Sequence, residues 1–177
     1  LVNEWVVKRA RYPLALLTAI VLIAGALSAF LVNDTICLAL TPLVLELVTR
    51  LKRNPIPYLL AISMASNVGS VATITGNPQN MIIGSLSQIH YGTFAAALSP
   101  VAVAGLLLTV ALIALAYRGE FLSREPFAAV APMPIRFNRP IVIKSLAVTL
   151  LMVALFFHGQ PVAQVAIVGG AFMLLTR

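Results

Sequence analysis

Two short polar runs hold the residues of this chain best suited to chemistry. One is Asn33-Asp34-Thr35. The other runs from Ser66-Asn67-Val68-Gly69-Ser70 to Thr75-Gly76-Asn77-Pro78-Gln79-Asn80. Both interrupt long apolar stretches, and the second offers hydroxyls and amides without a charge. Hydrocarbon gives backbone groups no partner, so unwound chain at membrane depth persists only where it is buried in protein or lines a cavity. A Gly/Pro-broken apolar segment is the usual sequence pointer to the substrate and ion site of a secondary transporter. A break at Gly76-Asn77-Pro78 frees carbonyls of the arm before it and N–H groups of the arm after it. Freed carbonyls suit sodium, and the positive end of a half-helix suits an oxyanion or a polar neutral solute. A proline kink eased by hydroxyls explains Pro78 alone. Gly76, Asn77, Gln79 and Asn80 beside it favour a binding site.

Asp34 is the one acidic residue that falls deep within an apolar region. A charge there costs roughly 2.5–3.5 kcal/mol or more, so it faces a polar cavity or a partner. It reads as a cation ligand or proton carrier, with a cap on the free N–H groups near Ile36 and Cys37 as the structural alternative. Glu46 stands four residues before Arg50 and reads as half of a surface ion pair. Lys144 reads as a snorkelling lysine. His90 and His158 fall in outer loops as solvated residues. Gly169, Gly170, Ala163 and Ala166 suit close helix packing.

The elements that must position these residues follow from composition. Of 177 residues, 60% are hydrophobic and 10% charged, and the mean hydropathy is +1.00. A water-soluble domain carries about a quarter charged residues. The net charge of +7 sits in clusters between apolar runs, at Lys8, Arg9 and Arg11, at Arg50, Lys52 and Arg53, and from Arg118 to Lys144. That is the pattern of cytoplasmic loops in a positive-inside membrane protein and not of a nucleic-acid face. Cys37 is alone, so no intrachain disulfide or cysteine metal cluster can form. No nucleophile–base set or phosphate loop appears, which argues against an enzyme.

The expected class is all-α and polytopic. Pro13 to Val32 is long enough to cross about 30 Å of hydrocarbon. A shorter apolar arm, Ile36 to Val48, returns to a basic cluster. Residues 13–50 therefore read as a hairpin re-entering from the cytoplasmic side with Asn33-Asp34-Thr35 at its tip; two ordinary spans are the alternative. Residues 58–87 read as a crossing helix broken at Gly76-Asn77-Pro78, and 94–117 as a clean span. Residues 1–117 form one unit, 118–139 a proline-bearing cytoplasmic linker, and 140–177 the first spans of a second, truncated unit. Tyr12, Tyr58, Tyr117 and Tyr91 are assigned to the membrane interfaces. Leu1 in place of Met, and a stop directly after an apolar run, lead us to expect a stretch of a longer protein.

Leu31-Val32-Asn33-Asp34-Thr35 with Leu40-Thr41-Pro42 resembles the hairpin-tip signature of arsenical-pump and sodium/proton-antiporter-type permeases. Asn67-Val68-Gly69-Ser70 with Thr75-Gly76-Asn77-Pro78-Gln79-Asn80 resembles their broken helix. These permeases belong to the ion-transporter superfamily that includes citrate and dicarboxylate/sodium symporters, and the likeness runs from Pro13 to Ser85. It implies two inverted repeats, each giving a re-entrant hairpin and a broken helix to a site at the bilayer midplane. The implied substrate and ion residues are Asn33, Asp34, Thr35, Ser66, Asn67, Gly69, Ser70, Thr75, Gly76, Asn77, Pro78 and Asn80. Sodium would sit at Asn33, Thr35, Gly76 and Asn77, or a proton would couple instead. The implied partners are membrane lipid, a small anion or oxyanion, the rest of the transporter and a second copy in a homodimer. The implied location is a bacterial-type plasma membrane. Dicarboxylate symporters carry Ser-Asn-Thr at the tip, and here it reads Asn-Asp-Thr. A carboxylate there repels a multiply charged anion unless a cation neutralises it, which shifts weight toward arsenite, largely neutral in water, or toward cation exchange. The expected function is secondary active transport of small anions or oxyanions on a proton or sodium gradient, with a sodium/proton antiporter or a non-transporting helical membrane subunit as the alternatives.

Overall fold

Proline and asparagine punctuate the helices. In the computed structural model, residues 12–121 and 138–175 are described; the first basic cluster and most of the linker lie outside them. Helix α1 (Pro13–Phe30) starts with proline at its first position, where a missing N–H costs nothing. Helix α2 (Asn33–Arg50) carries Pro42 inside. It closes with Lys52 in the left-handed region and a bond from Arg53 N to Val48 O, 3.0 Å. Asn54-Pro55 then caps α3 (Pro55–Ser70), the Asn54 side chain accepting from Ile56 N at 3.1 Å. The same pair recurs at Asn77-Pro78, where Asn77 caps α4 (Pro78–Ser87). Helices α5 (Tyr91–Ala116), α6 (Arg118–Phe121), α7 (Arg139–Phe157) and α8 (Val162–Leu175) complete the described elements.

Helix α3 lies at the centre, packed against α1, α2 and α5. Its residues Ala61, Ala65 and Gly69 recur every fourth position and are buried. Small residues at that spacing let two helix backbones approach closely. Here the approach is to α1, where a Cβ on Gly69 would fall on the Gly25 carbonyl. Around this contact Leu16, Leu17, Val21 and Val48 pack with Tyr58 and Ile62. A second cluster, Ile74, Tyr91, Phe94 and Phe156, ties the break after α3 to α5 and α7.

Polarity is inverted relative to a water-soluble fold. Ser28, Ser66, Ser70, Thr73, Thr75, Asn77 and Thr109 are buried, while Leu107, Ile143, Leu150 and Leu151 are among the many exposed apolar side chains. Three described helices, α1, α5 and α7, are long and apolar enough to cross a membrane. This is an all-α, polytopic membrane architecture.

Several expectations change. The two arms of the hairpin are equal, 18 residues each, and the turn is Leu31-Val32. Asn33, Asp34 and Thr35 form the first turn of α2 and no loop, because short polar side chains are well tolerated at a helix N-terminus. The break spans residues 71–77, earlier and longer than Gly76-Asn77-Pro78 alone. Tyr58 and Tyr91, assigned to the interfaces, are buried in protein. Tyr58 is fully buried and donates to Glu120 Oε1 (3.1 Å), which also receives Arg53 Nε at 3.5 Å. Tyr91 is buried against Phe156 and Phe157. The segment expected to be wholly linker begins with α6. Gly169 does pack, a Cβ there meeting the Met152 thioether, but Gly170 has open space. The Glu46–Arg50 pair forms as expected, exposed, at 2.6 Å. Lys144 reaches the Met173 carbonyl of α8, 3.4 Å away.

Candidate functional site

The break after α3 is held by its own amides. Helix α3 ends at Ser70 with carbonyls that no helical N–H can reach. The Asn80 Nδ2 folds back from α4 and donates to the carbonyls of Ser70 (3.2 Å), Val71 (3.3 Å) and Thr73 (2.9 Å). Asn77 Nδ2 donates to Ser70 Oγ at 3.0 Å, and Asn77 Oδ1 accepts the Asn80 N–H at 2.8 Å. The carbonyls anticipated as sodium ligands on this side thus each already accept an amide N–H. Gly76 makes the crossing possible, since a Cβ there would land on the Ser70 carbonyl. Pro78 supplies the preset first residue of α4.

The hairpin tip meets this loop through Asn33. Its N–H donates to the Gly76 carbonyl at 3.1 Å. Its side-chain orientation follows from a chain of forced choices. The Ser63 carbonyl can only accept, so Asn67 turns Nδ2 to it (3.0 Å) and presents Oδ1 to Asn33. Asn33 answers with Nδ2 at 2.8 Å. That leaves Asn33 Oδ1 buried and without a hydrogen-bond partner among the described residues. A buried acceptor left unpaired costs about 1–3 kcal/mol, so a donor or a cation at that oxygen would be favourable.

Deeper down, Ser28 donates to the Ser66 carbonyl at 2.7 Å. Ser66 Oγ donates to Ser63 O at 3.1 Å, which leaves the Cys37 thiol as donor to Ser66 Oγ, 2.9 Å away. Thr73 donates to the Ala29 carbonyl. These bonds stitch α1, α2 and α3 together beneath the tip.

The predicted residues thus divide. Asn33, Asn67 and Gly76 meet directly, with Ser66 one layer below. Ser70, Asn77, Pro78 and Asn80 shape the break. Gly69 is a packing position, and Thr75 turns away to Tyr91, 2.8 Å from its hydroxyl. Asp34 and Thr35 are exposed on the first turn of α2. The capping alternative for Asp34 is not realised: the N-cap is Val32, with no side-chain cap bond. Of the four residues named for sodium, Asn33 offers the partnerless oxygen. Gly76 O already accepts one N–H and keeps a second lone pair, Asn77 Oδ1 is engaged, and the Thr35 hydroxyl is exposed. Sequence reasoning missed Ser28, Cys37 and Tyr91. The fourfold spacing of small residues in α3 was the signal for the first of these.

The N-termini of α2 and α4 converge on this junction, and each end carries about half a positive charge. The Asp34 carboxylate stands beside them. Buried polar groups at a helix break, inside a shell of exposed apolar side chains, are the pattern of a helical membrane protein of the transporter type.

The chain belongs to the citrate transporter family (CitMHS), whose sequence model matches residues 1–177. It is 31% identical to an uncharacterized transporter of Mycobacterium tuberculosis, over 97% of this chain and 42% of that protein. It is 26% identical to the arsenical pump membrane protein of Escherichia coli, over 97% of this chain and 41% of the pump. Over 59% of this chain and 22% of the relative, it is 34% identical to the silicon efflux transporter LSI3 of rice, Oryza sativa. The chain thus spans about two fifths of the first two relatives. No solved structure matches it. The family and these relatives are transporters and not enzymes, and the chain is part of an integral membrane protein.

Proposed function

We propose that this chain supplies one half of the binding site of a secondary active transporter for small oxyanions or their neutral acids, driven by a proton or sodium gradient through alternating access. The observation that carries the reading is the oriented Asn33 amide at the tip–loop junction, whose buried acceptor has no partner among the described residues. An acceptor oxygen repels a bare anion and welcomes a hydroxyl or a cation. With Asp34 one residue away, the junction favours a hydroxylated neutral acid such as arsenous acid, or an anion accompanied by sodium. The names of two relatives, an arsenical pump and a silicon efflux transporter, agree with that class. The inverted repeat, with the second half of the site outside this chain, is part of the proposal. So are a bacterial-type plasma membrane and cytoplasmic basic loops.

A sodium/proton antiporter is the second reading. Asp34 favours it, being exposed and without an ion pair among the described residues.

The test uses everted vesicles containing the full-length protein, its Asn33→Ala variant and its Asp34→Asn variant. Labelled arsenite uptake and internal pH after a sodium pulse are followed together. Arsenite uptake reduced at least tenfold by Asn33→Ala supports the first reading. A sodium-evoked pH change lost in Asp34→Asn, without arsenite uptake, supports the second. Uptake undiminished by either substitution removes the tip from the site.

A further inference from the structure

Tyr91 belongs to no motif, yet it closes a chain of buried hydroxyls that ends beside the hairpin tip. Thr73 Oγ1 donates to the Ala29 carbonyl, Thr75 Oγ1 lies 3.3 Å from Thr73 Oγ1, and Tyr91 Oη lies 2.8 Å from Thr75 Oγ1. All three residues are buried. A carbonyl can only accept and each hydroxyl has one proton, so the directions are fixed. Thr73 spends its proton on Ala29, Thr75 must donate to Thr73, and Tyr91 must donate to Thr75. The chain runs one way, from α5 through the loop to the last turn of α1. With every proton in it committed to the next oxygen, its work is to hold position.

What it holds is the segment that presents Gly76 to Asn33. Thr75 adjoins Gly76, whose carbonyl receives the Asn33 N–H. The ring of Tyr91 has a second engagement. It packs on Phe156 at 5.5 Å between centroids and edge-on to Phe157 at 5.0 Å, near the end of α7. Ile74 of the loop shares that cluster. The Tyr91 side chain therefore touches the loop with its hydroxyl and α7 with its ring.

We propose that Tyr91 is a positioning residue of the candidate site: its hydroxyl fixes the loop through Thr75, and its ring makes that hold depend on where α7 lies. Movement of α7 is thereby passed to the Asn33–Gly76 junction. The role rests on the reading of that junction as the binding site. The contact geometry itself is tested without any transported solute.

Cys37 provides the readout. It lies four residues after Asn33, one helical turn along α2, and its half-buried thiol rests on Ser66. Releasing the loop frees Asn33 and loosens that turn, exposing the thiol. The experiment measures the rate of N-ethylmaleimide modification of Cys37 in the full-length protein, with any cysteine outside this chain replaced by serine. Tyr91→Phe keeps the ring and loses only the hydroxyl. It is expected to speed modification about fivefold, the equivalent of one hydrogen bond of about 1 kcal/mol. Thr75→Val gives at least the same acceleration, the double variant matches Thr75→Val alone, and Thr75→Ser reacts at the parent rate. Phe156→Leu also accelerates modification, with the hydroxyl chain intact. A parent rate in Tyr91→Phe, or single effects that multiply in the double variant, overturns the proposed hold. A parent rate in Phe156→Leu overturns the dependence on α7. If Tyr91→Phe fails to accumulate, the comparison of Thr75→Val with Thr75→Ser decides the first point. A protein silent in arsenite uptake but showing this pattern would separate the failure of the transport reading from that of the contact.

Discussion

Adding one methyl group at Gly69 tests the packing that supports the whole site. A Cβ there would fall on the carbonyl oxygen and Cα of Gly25 and 2.6 Å from its carbonyl carbon. Carbon atoms rest at about 3.5–4.0 Å, so α1 and α3 must part by about 1 Å. Backbone has no alternative rotamer, which places Gly69→Ala at the upper end of overpacking costs, about 3 kcal/mol. Two other glycines set the scale. At Gly105 the nearest atom to the new methyl is Val68 Cγ1, 2.7 Å away on a side chain and not on backbone, so Gly105→Ala should cost about 1 kcal/mol. At Gly170 there is open space, and Gly170→Ala should gain about 0.5–1 kcal/mol from helix propensity. The assay is the apparent melting midpoint of the full-length protein in detergent, followed by size-exclusion chromatography. The expected order of stability is Gly170→Ala, parent, Gly105→Ala, Gly69→Ala. If Gly69→Ala melts within about 0.5 kcal/mol of Gly170→Ala, the close backbone contact between α1 and α3 is refuted.

Asn80→Ala should destabilise by about 1–3 kcal/mol, because the carbonyls of Ser70, Val71 and Thr73 lose their shared donor. Asn80→Asp should be worse, since it sets a carboxylate against those oxygens; thermal midpoints rank the two. A double-mutant cycle on Glu46 and Arg50, both about half exposed, should return a coupling of about 0.3–0.5 kcal/mol that fades in high salt. Glu120→Ala strands the buried Tyr58 hydroxyl and should cost about 1–3 kcal/mol, most of it recovered by Glu120→Gln, which still accepts from that hydroxyl. Stability in detergent checks both variants.

The helices long and apolar enough to cross a membrane were legible because a long apolar run with few charges has few other uses. The break was legible because Gly76, Asn77 and Pro78 cannot continue a buried helix without help. Its internal wiring was not, because the Asn80 amide reaches back seven to ten residues in a direction no local rule fixes. The tyrosines mislead for a related reason. Tyr58 and Tyr91 have the amphipathic ring that suits an interface, and the same ring suits a buried niche with one hydroxyl partner. The partner that decides is distant in sequence: Glu120 is 62 residues from Tyr58, and Thr75 is 16 from Tyr91. The tip was legible to within two residues: the turn is Leu31-Val32, and Asn33, Asp34 and Thr35 open the next helix, because short polar residues suit a helix N-terminus as well as a turn. The Ala61, Ala65, Gly69 spacing was there to be read and pointed to the α1–α3 contact.

The distance along the chain between the hairpin and its partner loop has a consequence for biogenesis. Thr73 comes 44 residues after Ala29, whose carbonyl it meets. At a synthesis rate of about 5–20 residues per second, Ala29 waits roughly 2–9 s for the residue that binds its carbonyl. Asn33 waits a similar time for the Gly76 carbonyl and a shorter one, 34 residues, for the Asn67 amide. Until those residues are made, the polar first turn of α2 lacks the partners that hold it in the finished fold.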